Sequence, residues 1–155
     1  MNMPSIVGKT LIGIRRIAYV HHGVVTDNGG PLELTFCDQT SIVFDAAGDG
    51  ESLVVSSGAW IDPFAEPISQ ENRTFIENSG KWTAFNVQAD DSFGRVLGNQ
   101  ILQINNINNS SEKTIGIQIQ IGDMVIQVIV DSDALQVSSV DPASVAWISE
   151  APSGD

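Results

Sequence analysis

The sequence predicts a mainly β protein, a β-rich α+β chain of two pseudo-repeated antiparallel β-meander units with one or two short helices. Three observations carry this prediction. Ile115, Ile117, Ile119 and Ile121 alternate with Gly116, Gln118 and Gln120, the period of a strand with one buried face. Two stretches of the chain match each other element by element, about 8–63 and 98–142, joined by 64–97. The 155 residues are 42% hydrophobic, enough to bury one core, so a single domain is expected.

The match can be followed along the chain. Gly8, Leu11, Ile14 and Ile17 lie over Gly98, Ile101, Ile104 and Ile107 at an offset of 90. Leu32, Leu34, Phe36 and Asp38 lie over Ile117, Ile119, Ile121 and Asp123 at an offset of 85. The next strand ends at Asp45 in one copy and Asp131 in the other, and Glu51-Ser-Leu-Val-Val then lies over Asp133-Ala-Leu-Gln-Val. Each copy closes on Asp-Pro, at Asp62-Pro63 and Asp141-Pro142. The offset changes only between elements, as it does when equivalent loops differ in length.

Within each unit the local signals read as strands. The opening element repeats its isoleucines every third residue, yet β-branched side chains and neighbouring asparagines favour a bulged strand over a helix. Gly122-Asp123 is a hairpin turn signal before Ile126, Val128 and Val130, and Cys37-Asp38-Gln39 occupies the same joint in the first copy. Asp-Pro suits a helix start, with aspartate capping and proline in the first turn. The stretch 141–149 is expected to form two turns, packing Val145 and Trp147 or Ile148. Between the copies, a short helix is expected near Ile68–Ile76 and a strand from Trp82 to Val87.

Composition excludes several classes of partner. Seven basic residues against 19 acidic ones give a net charge of −12, which disfavours nucleic acid and anionic membranes. Met1–Lys9 has no basic stretch leading into an apolar run, so no signal peptide is expected. No apolar stretch approaches the roughly 20 residues of a membrane span; Leu11–Val20 is broken by Arg15 and Arg16. The single cysteine, Cys37, allows no internal disulfide and reads as a small buried hydrophobe in a reducing cytoplasm. In that compartment the glycosylation sequons at Asn72, Asn108 and Asn109 carry no meaning.

No catalytic signature stands out. Asp45-Ala-Ala-Gly-Asp49-Gly-Glu51 invites comparison with a calcium loop, but Ala47 and Ser56 stand where that loop needs oxygen ligands. An acidic, glycine-rich hairpin loop is the simpler reading, and no metal or cofactor is expected. His21 and His22 are adjacent: on a strand they face opposite ways and share no ligand, while in a loop they could, but no third ligand is close in sequence. Trp60 and Trp147 read as caps on the ends of the two copies, whereas Trp82, after the Gly80-Lys81 turn, is expected to be partly exposed. From Thr114 onward there is no Lys or Arg against six acids, while Gln118, Gln120 and Gln127 give an uncharged outward face.

The series Gly98 to Ile107, the strands Ile115 to Val130 and Asp131-Ser-Asp133-Ala-Leu135-Gln-Val137 resemble small bacterial β-rich proteins of the toxin-immunity type. The resemblance implies a non-enzymatic protein that binds and occludes one cognate toxin, without implying a role for any individual residue. The acidic balance adds a docking surface for a basic partner, with Asp45, Asp49, Glu51, Asp131 and Asp133 as candidate contacts and Trp82 as anchor. Two other classes stay open. One is a small ligand-binding domain or enzyme with a pocket between the copies, for which His21, His22, Asp90 and Asp91 are the residues to examine. The other is a homodimer or larger assembly joined through strand edges.

Overall fold

The computed structural model of the protein describes residues 3–64, 67–88 and 93–147. The first unit supplies β1 (Leu11–His21), β2 (Val24–Asp27), β3 (Leu32–Phe36), β4 (Ser41–Ala46) and β5 (Leu53–Ser57). Helix α1 (Gln70–Ser79) and β6 (Lys81–Asn86) follow. The second unit is β7 (Ile101–Asn108), β8 (Thr114–Ile121), β9 (Met124–Asp131) and β10 (Ala134–Val140). Two antiparallel sheets result, a six-stranded one running β2-β1-β3-β4-β5 with β6 added to β1, and a four-stranded one running β10-β9-β8-β7. The mainly β class and its antiparallel meanders are therefore as the alternation predicts.

The internal match is a match of hydrogen bonding. β1 and β3 pair Leu11 with Phe36, Gly13 with Thr35 and Ile14 with Leu34, leaving Ile12 bulged. β7 and β8 pair Ile101 with Ile121, Gln103 with Gln120 and Ile104 with Ile119, leaving Leu102 bulged. The two bulged side chains are the ones turned to solvent, at 53% and 49% exposure, because the extra residue breaks the alternation. The copies meet reciprocally. Leu11 N–H donates to Asn99 O and Ile101 N–H to Lys9 O, both at 2.9 Å. Gly8 N–H donates to Ile101 O at 2.8 Å and Gly98 N–H to Leu11 O at 2.7 Å. Gly8 and Gly98 reach these bonds at φ 91° and 89°, a left-handed conformation that glycine adopts without a side-chain clash. The Thr10–Gln100 bridge thus marks a pseudo-twofold axis.

The inner faces of both sheets share one core. Leu11, Ile14, Leu34, Phe36 and Phe44 from the first sheet pack with Ile101, Ile117, Ile119, Ile121 and Val128 from the second. The outer face of the first sheet is covered locally by the segment after β5. There Arg15 Nε and Nη2 donate to Glu33 Oε1 and Oε2 at 2.6 and 2.7 Å, while Trp60 N–H donates to Glu33 Oε2 at 2.7 Å. Glu33 is only 3% exposed, and this fork of donors is what makes its burial tolerable. The register-equivalent pair in the second copy is Asn105 and Gln118, whose side chains bond at 2.8 Å. Gln118 continues to Gln127 at 2.9 Å, so an uncharged amide row crosses three strands where the first copy has an ion pair.

Several local expectations need correction. Cys37 is exposed, because the strand's last inward residue is Phe36 and the chain turns there, with Gln39 at φ 71°. Asp141 does cap a start, accepting from Ala143 N–H at 3.0 Å, but the helix is one 3-10 turn over Pro142–Ser144 rather than two turns. Val145 and Trp147 are half-buried, and Ile148 lies outside the described residues. Asp62 likewise accepts from Phe64 N–H at 2.8 Å, but Pro63 and Phe64 form a turn, and its other oxygen takes Lys81. The expected 68–76 helix begins instead at Gln70 behind a Ser69 cap, and the expected strand at Trp82 starts at Lys81.

Candidate functional site

The five candidate acids sit on turns or on the strand ends that lead into them, at the end of the sheets away from Thr10 and Gln100. β4 runs from Ser41, beside that bridge, to Ala46, and the β4–β5 turn 47–52 closes the far end. The β9–β10 turn, Ser132-Asp133, does the same for the second sheet with both residues at positive φ, 52° and 68°. Asp133 N–H donates to Gly50 O at 2.9 Å, so the two equivalent turns touch. Acids that are far apart in sequence are thereby gathered into one rim.

Each acid has a distinct environment. Asp49 builds the first turn: Oδ1 accepts from Ser52 N–H at 2.8 Å and Glu51 N–H at 3.0 Å, and Oδ2 accepts the Ser52 hydroxyl at 2.7 Å. These donors, Ser52 foremost, hold its carboxyl well below the usual carboxylate range. Glu51 accepts from Asn109 Nδ2 at 2.7 Å. Lys113 reaches Asp49 at 3.3 Å and Glu51 at 3.4 Å, and among the described residues it is the only cation paired with this rim. Asp45 is half-buried on the outer face of β4, and its Oδ1 accepts from Ala46 N–H at 2.8 Å. Burial pushes its carboxyl up; the Ala46 amide opposes this and the Asp133 charge adds to it. Asp131 is bonded at longer range, to Ser132 Oγ at 3.2 Å and Gln136 Nε2 at 3.3 Å.

The equivalence of Asp45 and Asp131 does not survive at residue level. Strand pairing places Leu32 opposite Phe44 and Ile117 opposite Val128, then Ala46 opposite Leu53 and Val130 opposite Leu135. That register aligns Asp45 with Ile129 and Ala47 with Asp131. The acids share a rim because equivalent turns meet, not because equivalent positions carry charge. Trp82 is apart from them. It lies on β6 opposite Tyr19, 37% exposed, with β1 and β3 standing between its strand and β4. It meets Tyr19 edge to face with ring centroids 5.2 Å apart and leans over Gly30, where any β-carbon would fall 2.6 Å from Trp82 Cζ3.

The residues of the alternative site are also placed. His21 and His22 stack with centroids 4.0 Å apart, since β1 ends at His21 and His22 turns at φ 51°. A His21 ring nitrogen lies 3.1 Å from Glu77 O. Asp90 and Asp91 lie outside the described residues. Among the described residues no three His, Cys, Asp or Glu side chains stand close enough to hold a metal ion. A cavity of about 390 Å³ does lie between the sheets of the two copies, but the charged residue beside it is Arg16, which was not among the residues expected there. Its only sequence signal was Arg15-Arg16 interrupting an apolar strand.

Fold and site together define a two-sheet β protein of duplicated meanders with an acidic rim and an inter-sheet cavity. Compared with known proteins, the chain matches no family model, no curated protein and no solved structure. No helix among the described residues is long and apolar enough to cross a membrane.

Proposed function

We propose that this chain is a non-enzymatic binding protein that docks its acidic rim on a basic protein surface, most concretely as a cytoplasmic immunity protein that occludes a cognate toxin. The observation that carries this reading is the meeting of the β4–β5 and β9–β10 turns, which sets Asp133 against Gly50 with one neighbouring lysine. In a chain of net charge −12, such a rim raises the encounter rate with a cationic cleft and disfavours acidic competitors. Trp82 then acts as a separate contact at the other edge of the sheet.

The test compares the native chain with a variant carrying Asp45, Asp49, Glu51, Asp131 and Asp133 all changed to Lys. Candidate basic toxin domains from neighbouring reading frames are the partners, and association rates are measured at low and high salt. The native chain is expected to associate at least about tenfold faster, with that advantage fading as salt screens the rim. A toxin bound equally well by the variant removes the rim from the interface. Trp82→Ala, measured alongside, is expected to speed dissociation without changing the salt dependence.

A further inference from the structure

We propose that the inter-sheet cavity beside Arg16 is a binding site for a small amphipathic anion, a monocarboxylate carrying an apolar body. The walls come from both sheets: Ile14, Leu32 and Leu34 on one side, Ile126, Leu135 and Val137 on the other. Among the described residues that line the cavity, Arg16 is the only charged one. It follows Arg15 on β1, and because alternate residues face opposite ways, Arg15 turns out to Glu33 while Arg16 turns in beside Ile14.

The guanidinium is held but incompletely satisfied. Nη2 donates to Leu135 O at 2.6 Å and Asn28 O at 2.7 Å, and Nε donates to Asn28 O at 3.2 Å. Nη1 is buried and, among the described residues, has no hydrogen-bond partner. Nor does Arg16 form an ion pair among the described residues; Asp27 acts on it only through its field. Burial, the larger influence, lowers its affinity for the proton, yet arginine keeps its charge in proteins. A desolvated cation with two unused N–H donors is costly, and an anionic oxygen is the group that relieves it.

Architecture alone does not call for this arginine. The equivalent position of the second copy is Asn106, which faces solvent. The lining decides the rest of the ligand. One cation matches one carboxylate, and the aliphatic walls match a hydrocarbon body. At about 30 Å³ per water-sized group, a cavity of about 390 Å³ accommodates roughly a dozen heavy atoms. Octanoate is a fitting probe.

The experiment titrates the native chain with octanoate, octan-1-ol and octylammonium and follows side-chain NMR signals. Octanoate is expected to shift, saturably, the methyls of Leu34, Leu135 and Val137 together with the Arg16 Nε–H. Octanol is expected to bind at least about tenfold more weakly, the worth of a charged hydrogen bond, and octylammonium not to bind. Arg16→Met is expected to lose the preference for the acid. Because Arg16 also ties β10 to the 28–29 turn, the comparison of the three probes on the native chain stands alone if that variant does not fold. The inference is overturned if octanoate leaves those methyls unmoved at about 10 mM, an affinity too weak to matter. It is equally overturned if the alcohol or amine binds as well, or if folded Arg16→Met keeps the preference. The five-acid variant is expected to bind octanoate unchanged, which separates this site from the acidic rim.

Discussion

Glu33 shows how one buried charge is made tolerable. Burial alone raises its carboxyl, but the Arg15 side chain, the Trp60 amide and the Arg15 charge outweigh that and hold it below its ordinary value. A carboxyl depressed in the folded state contributes stability that is present above its ordinary range and lost as pH falls through the folded value. Glu33→Ala is expected to cost about 2–4 kcal/mol in denaturant unfolding at neutral pH, because it strands Arg15 and the Trp60 amide together. The second copy suggests the repair. Arg15→Asn with Glu33→Gln installs the Asn105–Gln118 arrangement at the same register and is expected to recover more than half of that loss. Its stability is also expected to fall less between neutral and acid pH than that of the native chain. Asp38 is the exposed counterpart: the Thr40 hydroxyl, Lys9 and the Thr40 amide pull its carboxyl down to about 2, fastening the β3–β4 turn.

Among the elements, the strands of the second unit were the most legible, since four isoleucines alternating with small or amide residues fit a half-buried strand and little else. The bulge was legible too, from a spacing of three that neither a flat strand nor a β-branched, Asn-rich helix accommodates. The element boundary at Cys37 was not. An apolar residue directly after Phe36 reads as more core, whereas the turn closed by Phe36 N–H donating to Thr40 O at 2.9 Å carries Cys37 out of the strand. Helix α1 depends on its ends rather than on burial, for none of its residues is buried. Ser69 accepts from Asn72 N–H at 3.1 Å, and Ser69→Ala is expected to destabilise the helix by about 1 kcal/mol. Hydrogen exchange is expected to accelerate across Gln70–Ser79 while the global unfolding midpoint stays put. A matching drop in global stability would mean that the helix is part of the cooperative core.

At the level of the whole molecule, the pseudo-twofold axis makes Leu11 and Ile101 counterparts, each fully buried beside the bridge that joins the copies. Their packing belongs to one core, so Leu11→Ala and Ile101→Ala are each expected to cost about 2–5 kcal/mol. Unfolding is expected to be a single transition by tryptophan fluorescence and by far-ultraviolet circular dichroism alike. Separate transitions for the two halves would show that the copies are independent units.

The sequence by itself determined the mainly β class and the bulged and alternating strands, though not the short β2, because side-chain periodicity and turn residues act over neighbours a few positions apart. It also set the acidic charge, but not the place where that charge gathers. Tertiary structure alone decided that Gly50 and Asp133 touch, that Asp45 aligns with Ile129 rather than an acid, and that Trp82 stands away from the rim. It likewise decided that Arg15 meets Glu33 while Arg16 turns into a cavity. Such outcomes depend on inter-strand register and sheet packing. A shift of one residue in either exchanges the inward and outward sets, and no local pattern records which register the whole chain adopts.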